Sequence, residues 1–295
     1  RIMWTSRCDE RVQMNLSYIS VKCEAEKPFK LLHITDTHIS FADGRDDERK
    51  NKLAEGRYRA FSGSDRRAER YFEESLSYAA KQGIKIIHTG DLIDFVSYAN
   101  LDYARDMLKD TDYLIASGNH EFSLYVGEAF EDEAYREQSR ELVQSAFRND
   151  IDFTAEVING VNLILIGDFY YRFPKRITER LCAELNRGLP ALLFMHTPLY
   201  EEGLYDYIMQ GGAPCAYVTG APEDKIACYP RNRYIQQKPD IDTLECIELI
   251  KSHSNIKAIF AGHLHKPYAG VLDCGIPQYV TGIQTNGYAL EITVK

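Results

Sequence analysis

The sequence predicts an α/β fold with largely parallel strands, on three observations. Short apolar runs alternate with stretches of helical periodicity, the rhythm of strands buried beneath helices. Five of those runs, Phe29–Thr35, Ile84–Thr89, Tyr113–Ala116, Leu192–Met195 and Ile256–Phe260, each lead into a short polar signature. The signatures sit just past the strand carboxyl ends, where open α/β sheets hold their ligands.

Taken in order, Val12 to Lys22 alternates loosely through Met14, Leu16 and Tyr18 and reads as an edge strand. Residues 1–28 otherwise form an N-terminal extension. The first firm strand, Phe29–Thr35, runs into Asp36-Thr37-His38. Residues 39–63 are polar and charge-rich, as in Asp43-Gly44-Arg45-Asp46-Asp47-Glu48-Arg49-Lys50, and read as a solvated loop. A loop of that length beside a site also offers Arg45, Arg57 or Arg59 to a substrate. Ala68, Tyr71, Phe72, Ser75, Leu76 and Ala79 form a helical stripe that Gly83 ends. Ile84–Thr89 leads into Gly90-Asp91-Leu92-Ile93-Asp94, a helix follows over Ser97–Leu108, and Tyr113–Ala116 leads into Gly118-Asn119-His120-Glu121.

The second half is less regular. A helix is expected over Glu131–Phe147. Asn159-Gly160 between Phe153–Ile158 and Val161–Ile166 is a strong hairpin signal. Leu192–Met195 ends in His196-Thr197-Pro198. Residues 211–240, rich in Gly, Pro and Tyr, read as a long loop before a helix over Asp242–His253. Ile256–Phe260 ends in Gly262-His263-Leu264-His265, and the tail from Tyr268 to Val294 reads as antiparallel strands. No repeat, low-complexity tract or linker interrupts the chain, which favours one domain over 1–295.

Composition narrows the class. With 295 residues, 44% hydrophobic and 27% charged, the chain can bury a large core and has ordinary globular values. No apolar run reaches the roughly 18 residues that a membrane span needs. A net charge of −9 disfavours binding to long nucleic acid. It leaves a phosphate substrate open, because bound ions reverse the local sign. The seven cysteines are scattered without a Cys-x-x-Cys and read as incidental thiols; Cys215 and Cys228 share a segment, but no bond between them is expected. Arg1-Ile2-Met3-Trp4 lacks a signal's apolar core, which favours a cytoplasmic location, although a chain that does not begin with Met constrains this weakly.

The signatures carry the chemistry. Asp36-x-His38, Gly90-Asp91, Gly118-Asn119-His120-Glu121, His196 and Gly262-His263-x-His265 hold five of the eight histidines. Imidazole combined with carboxylate suits Mn, Fe or Zn, whereas Ca and Mg prefer all-oxygen sites. Residues two apart on extended backbone point the same way and lie roughly 6–7 Å apart. His263 and His265 could then reach two ions spaced about 3.5–4 Å.

This ordered set, from about residue 29 to 265, resembles the calcineurin-like metallophosphoesterase superfamily. The resemblance implies two mixed β-sheets packed as a sandwich flanked by helices, with a dinuclear site at its edge. It implies one divalent ion held by Asp36, His38 and His265, a second by Asn119, His196 and His263, and Asp91 bridging them. Mn, Fe, Zn and Ni are the candidate ions. It implies hydrolysis of a phosphate mono- or diester through a metal-bridging hydroxide, with His120 as proton donor and Asp94 orienting it. Asp94 stands where the purple acid phosphatases have Tyr, which argues against a tyrosinate-bound ferric ion. The expected partner is a small phosphoester, a nucleotide among the candidates. The alternative is a noncatalytic interaction scaffold on the same fold; such members usually lack the donor histidine or several ligands, and here all are present.

Other polar residues have plainer readings. His33 and His88 lie within strands and read as core or as support for ligands. His253 suits a helix C-terminus. Gly167-Asp168 mimics Gly90-Asp91 after another strand, but the ligand set is complete without it. Glu121 reads as structural. Tyr200, Tyr205, Tyr207 and Tyr217, with Arg231 and Arg233, make residues 197–240 the candidate substrate-selecting cap loop.

Overall fold

The computed structural model describes residues 13–126 and 132–295. In these, the strands are β1 (Asn15–Val21), β2 (Phe29–Ile34), β3 (Lys85–His88), β4 (Tyr113–Ile115), β5 (Phe153–Ile158), β6 (Val161–Ile166), β7 (Ala191–Met195), β8 (Ile256–Ala261), β9 (Tyr268–Val271), β10 (Pro277–Val280) and β11 (Tyr288–Val294). They form two mixed sheets, ordered β1-β11-β2-β3-β4 and β5-β6-β7-β8-β10-β9. The helices are α1 (Glu48–Phe61), α2 (Arg67–Gln82), α3 (Tyr98–Leu108), α4 (Glu133–Gln144), α5 (Lys175–Leu185), α6 (Glu202–Gln210), α7 (Glu223–Ile226), α8 (Arg231–Gln237) and α9 (Ile241–Ser252).

The two-residue period of a strand explains the layers. Leu31, Ile87, Leu114, Leu163, Leu165, Leu192, Phe194, Phe260 and Ile292 share one buried cluster, between the sheets. Their neighbours point the other way. Leu32, Ile34, Ile86 and Ile115 join Phe72, Leu101 and Val143 under α2, α3 and α4. Ile164, Ile166, Leu193 and Ile259 join Ile177, Leu181 and Ile250 under α5 and α9. Both faces of β6 and β7 are buried, as expected of strands covered on two sides. This is the predicted helix–sheet–sheet–helix sandwich.

Local signals act as expected. Gly83 ends α2 at φ 63°. Asn159 (φ 48°) and Gly160 (φ 79°) make the β5–β6 turn, matching the positive-φ pair of a tight hairpin. Ser97 caps α3 by accepting from Asn100 N, and Asp240 caps α9 by accepting from Thr243 N. β1 lies at a sheet edge, although Val12, where the predicted strand began, lies outside the described residues, as do Cys8 and Glu131. The other six cysteines, Cys215 and Cys228 included, are free thiols.

Three readings are corrected. Residues 39–63 are not simply a loop: they contain the 14-residue helix α1, capped by Asp47. Only Lys50 and Ala54 of α1 are buried, so the helix shows no apolar stripe to read. Residues 197–240 are not a loop either, since α6, α7 and α8 lie there. Leu204, Tyr205, Ile208, Cys215, Val218, Ile226 and Tyr229 of that segment belong to the helix-side core of the second sheet. The tail is only partly antiparallel: β10 pairs antiparallel with β9 but parallel with β8. β11 crosses to the first sheet and inserts between β1, parallel to it, and β2, antiparallel. Among the described residues, no helix is long and apolar enough to cross a membrane.

Phe194 tests the sandwich. It is fully buried between the sheets and stacks on Phe260 with ring centroids 5.0 Å apart. Phe194→Ala is expected to cost about 3–5 kcal/mol, measured as a lowered urea midpoint with an unchanged m-value.

Candidate metal centre

The polar signatures converge because the strands β2, β3 and β4 run parallel in one sheet, as do β7 and β8 in the other. Past those strand ends the backbone turns abruptly. Asp36, His38, Asp91, His263 and His265 all have φ between 51° and 69°. That is the left-handed region, where a residue with a Cβ costs free energy and persists only when its surroundings enforce it. Here they do: Asp36 N and His38 N donate to Gly90 O and Asp91 O at 3.0 and 2.9 Å, and His263 N donates to Asp36 Oδ2 at 2.9 Å. His263 and His265 therefore part through left-handed turns, not along extended backbone as the sequence spacing suggested.

Glu121 joins the two central loops. Its carboxylate accepts from Gly118 N and Asp91 N on Oε2, at 2.6 and 2.7 Å. On Oε1 it accepts from Leu92 N and Ile93 N, at 2.7 and 3.2 Å. Burial and the nearby Asp91 push its pKa up to about 7, while the backbone donors oppose them. The loops touch closely enough that a Cβ on Gly118 would meet Asp91 Oδ1 and come within 2.9 Å of His196 Cε1. Gly118 is a matter of space.

Two groups of donors face each other. In one, His38 Nε2 and His265 Nε2 are 3.0 Å apart, and Asp36 Oδ1 lies 3.8 and 3.4 Å from them. In the other, His196 Nε2 is 3.1 Å from His263 Nδ1 and 3.2 Å from Asn119 Oδ1. Asp91 stands between, with Oδ2 3.2 Å from His196 Nε2 and 3.9 Å from His38 Nε2.

This donor set fits divalent ions. Asp36 Oδ1 is buried without a hydrogen-bond partner among the described residues. Three imidazoles have their second nitrogen occupied: His38 Nδ1 by Asp94 Oδ1 (2.9 Å), His196 Nδ1 by Thr89 O (2.7 Å) and His263 Nε2 by the Tyr171 hydroxyl (2.9 Å). Such contacts orient an imidazole and fix its free nitrogen for an ion. Burial lowers the pKa of His38 and lowers that of His263 to about 3, favouring neutral rings. Burial opposes ionisation of Asp36 and Asp91, but the surrounding histidines hold both below the usual carboxylate range. Burial likewise opposes charge on His196, yet Asp91, Asp36 and Asp168 raise it to about 10. The excess negative charge thus holds a proton where a cation could replace it. Asp36-His38-His265, Asp91-His196-His263 and His38-Asp91-His120 each bring three ligand atoms within 4.8 Å of one another.

His120 belongs to the third group but is differently engaged. Its Nδ1 lies 2.7 Å from Asp94 O and 3.1 Å from Asp94 Oδ1, leaving Nε2 toward Asp91 at 4.0 Å. Burial works against protonation, but Asp91 and Asp94 raise its pKa to about 10. Asp94, fully buried, also receives Arg57 Nε at 2.5 Å and Nη2 at 2.8 Å.

The nine residues singled out from sequence therefore lie together. Arg57 reaches the site through Asp94; Arg45 instead pairs with Asp43 and Asp102. The Asp168 carboxylate accepts from Thr197 Oγ1 at 2.8 Å, beside His196. His33 and His88 are core residues bonded to Thr89 and Thr37 at 2.9 Å. Of the tyrosines in 197–240, Tyr205 is buried in the core, whereas Tyr217 has its ring centroid 6.0 Å from that of His263. Tyr171 and Phe61 were not anticipated; the Gly167-Asp168 signature was the available pointer to Tyr171, three residues on. A groove of about 300 Å³ lined by Glu137, Arg140, Asp152, Arg176, Ile177 and Arg180 holds none of these residues.

The sequence model of the calcineurin-like phosphoesterase family matches residues 29–267. Among solved structures, a dimetal phosphatase from Danio rerio is similar at 13% identity and a TM-score of 0.51, over 89% of this chain and 91% of that one. A phosphopantetheinyl hydrolase from Mycobacterium tuberculosis has 13% identity and a TM-score of 0.44, over 90% and 91%. Likeness at this identity speaks for the fold alone. A search of curated protein sequences gives no match.

Glu121→Gln would replace one oxygen by an NH2 facing two backbone N–H groups. Losing charge-assisted acceptance there is expected to cost about 2–3 kcal/mol, checked by urea denaturation of the metal-free protein. Stability unchanged within 0.5 kcal/mol would contradict the role given to this carboxylate.

Proposed function

The chain belongs to the calcineurin-like phosphoesterase family, and on that premise we propose that it hydrolyses a phosphate ester at a centre of two divalent ions. The carrying observation is the pair of facing donor groups that share Asp91, with Asp36 Oδ1 buried and without a hydrogen bond among the described residues. Asp36, His38 and His265 would hold one ion, Asn119, His196 and His263 the other, and Asp91 both. Ions bound there supply Lewis acidity, acidifying a water and offsetting charge on the phosphoryl oxygens.

The remaining steps fall to the chain's own groups. His120, with Nδ1 on Asp94, presents Nε2 to donate a proton to the leaving oxygen. General acid catalysis of this kind contributes about 10²–10⁴-fold. Asp94 keeps the donor's tautomer and direction, as a buried carboxylate does for an imidazole. In residues 197–240, Tyr217, with the Arg233 guanidinium 5.2 Å from its ring centroid and its own ring 6.0 Å from that of His263, would meet a substrate. The net charge of −9 disfavours long nucleic acid and leaves a small phosphoester, nucleotides included, as the substrate class.

The deciding experiment is elemental analysis, followed by a panel of phosphate mono- and diesters with added Mn, Fe, Zn or Ni. Turnover of at least one ester with at least one metal is expected; none with any would overturn the reading. His120→Ala is expected to keep its metal content while kcat falls about 10²–10⁴-fold on esters with poor leaving groups. Loss of metal in that variant would make His120 a ligand instead. Asp91→Ala is expected to empty the centre.

A further inference from the structure

Helix α1 reaches the site with two side chains one turn apart. Arg57 forks onto Asp94, with Nε on Oδ2 and Nη2 on Oδ1. Phe61 lies flat on the His38 ring, centroids 4.3 Å apart and planes 10° from parallel, and meets His265 edge-on at 6.4 Å. The Arg57 guanidinium lies 4.7 Å from the Phe61 centroid. These contacts close a ring: Phe61 on His38, His38 on Asp94, Asp94 on Arg57, Arg57 on Phe61.

The ring has a mechanical consequence. Asp94 Oδ1 serves His38 Nδ1 and His120 Nδ1 together. A carboxylate held through one oxygen can rotate about its Cβ–Cγ bond and lose one of two rings. A two-point guanidinium fork fixes its plane. Face-to-face stacking of Phe61 sets the plane of His38 independently. The helix itself is anchored, with Tyr125 hydroxyl on Asp47 Oδ2 at 2.7 Å and Tyr58 hydroxyl on Glu69 Oε1 at 3.0 Å.

We propose that Arg57 and Phe61 are positioning residues, which hold His38 for an ion and His120 for the leaving group through their contacts with Asp94 and the His38 ring. The effect on turnover rests on the phosphoesterase reading; the effect on metal affinity does not.

The test uses Arg57→Ala, Arg57→Lys and Phe61→Leu in the full chain, with titration of Mn²⁺ into the metal-free protein and kinetics on an activated and an unactivated ester. Removing the group that orients a ligand typically costs about 10–100-fold in metal affinity or activity. Arg57→Ala is expected to weaken Mn²⁺ binding about tenfold. It is also expected to lower kcat more on the unactivated ester, with KM within about threefold, because the donor and not the substrate contact is lost. Arg57→Lys is expected to recover only part, since an ammonium is a point charge and not a fork. Phe61→Leu is expected to weaken Mn²⁺ binding with a smaller change in leaving-group sensitivity. Two results would overturn the proposal: a raised KM with kcat and Mn²⁺ affinity unchanged, which makes Arg57 a substrate contact, or full recovery by lysine. If no ester is turned over by the parent protein, the phosphoesterase reading fails and the Mn²⁺ arm still decides this one.

Discussion

Four fully buried carboxylates, Asp36, Asp91, Asp94 and Glu121, meet at the junction of the two sheets, and each must be compensated without bulk water. An isolated buried carboxylate would cost many kcal/mol and would neutralise instead. Each solves the problem differently. Glu121 takes four backbone N–H groups from the loops after β3 and β4. Asp94 takes a guanidinium and two imidazoles. Asp91 and Asp36 face imidazole nitrogens, and Asp36 Oδ1 makes no hydrogen bond among the described residues. The first two acids are compensated by hydrogen bonds from within the protein; the last two are the candidates to meet a cation. That division gives the site its chemical sense.

The same arrangement accounts for the strained backbone. Five of the seven candidate ligands sit in the left-handed region without being glycine. A strand points residues two apart the same way but sets them roughly 6–7 Å apart, whereas Asp36 Oδ1 and His38 Nε2 lie 3.8 Å from each other, so drawing both into one centre takes the chain out of strand geometry. The cost is met by hydrogen bonds between loops, such as Ile39 N on Leu92 O at 2.9 Å and Gly262 N on His196 O at 2.9 Å. Local strain persists where neighbouring contacts over-determine it, and it is concentrated here.

Much of this was legible in the sequence, for identifiable reasons. Strands such as Val161–Ile166 are apolar on both faces and announce themselves. The polar residues that interrupt such runs have no structural reason to be buried, so Asp36, Asp91, Asn119, His196 and His263 were visible as a set. Helix α1 was not, because its contacts are made by Arg57 and Phe61 with single side chains and not by an apolar stripe. A charged segment looks solvated whether it faces water or a carboxylate. Residues 211–240 misled in the opposite direction: Gly, Pro and Tyr suggested a loop, yet Cys215, Val218 and Ile226 pack into the core. Tyr171 could not be found from composition, since its contact with His263 depends on tertiary packing across 92 residues.

The segment Gly118-Asn119-His120-Glu121 shows how one turn can serve several ends. After Asn119 (φ −75°, ψ −24°) the chain enters a 3₁₀ turn over His120–Phe122. At three residues per turn, successive side chains diverge by about 120°. Asn119 accordingly reaches His196, His120 reaches Asp94, and Glu121 turns back to the backbone of Asp91 and its own Gly118. An α-helix would spread these directions less evenly, and a strand would return the first and third to the same face. The tight turn lets a candidate ligand, a candidate proton donor and the residue that fixes both loops be consecutive in sequence while facing apart. A shift of one residue in this turn would exchange their surroundings, which is why Glu121, with no part in the chemistry itself, is coupled to the placement of both neighbours.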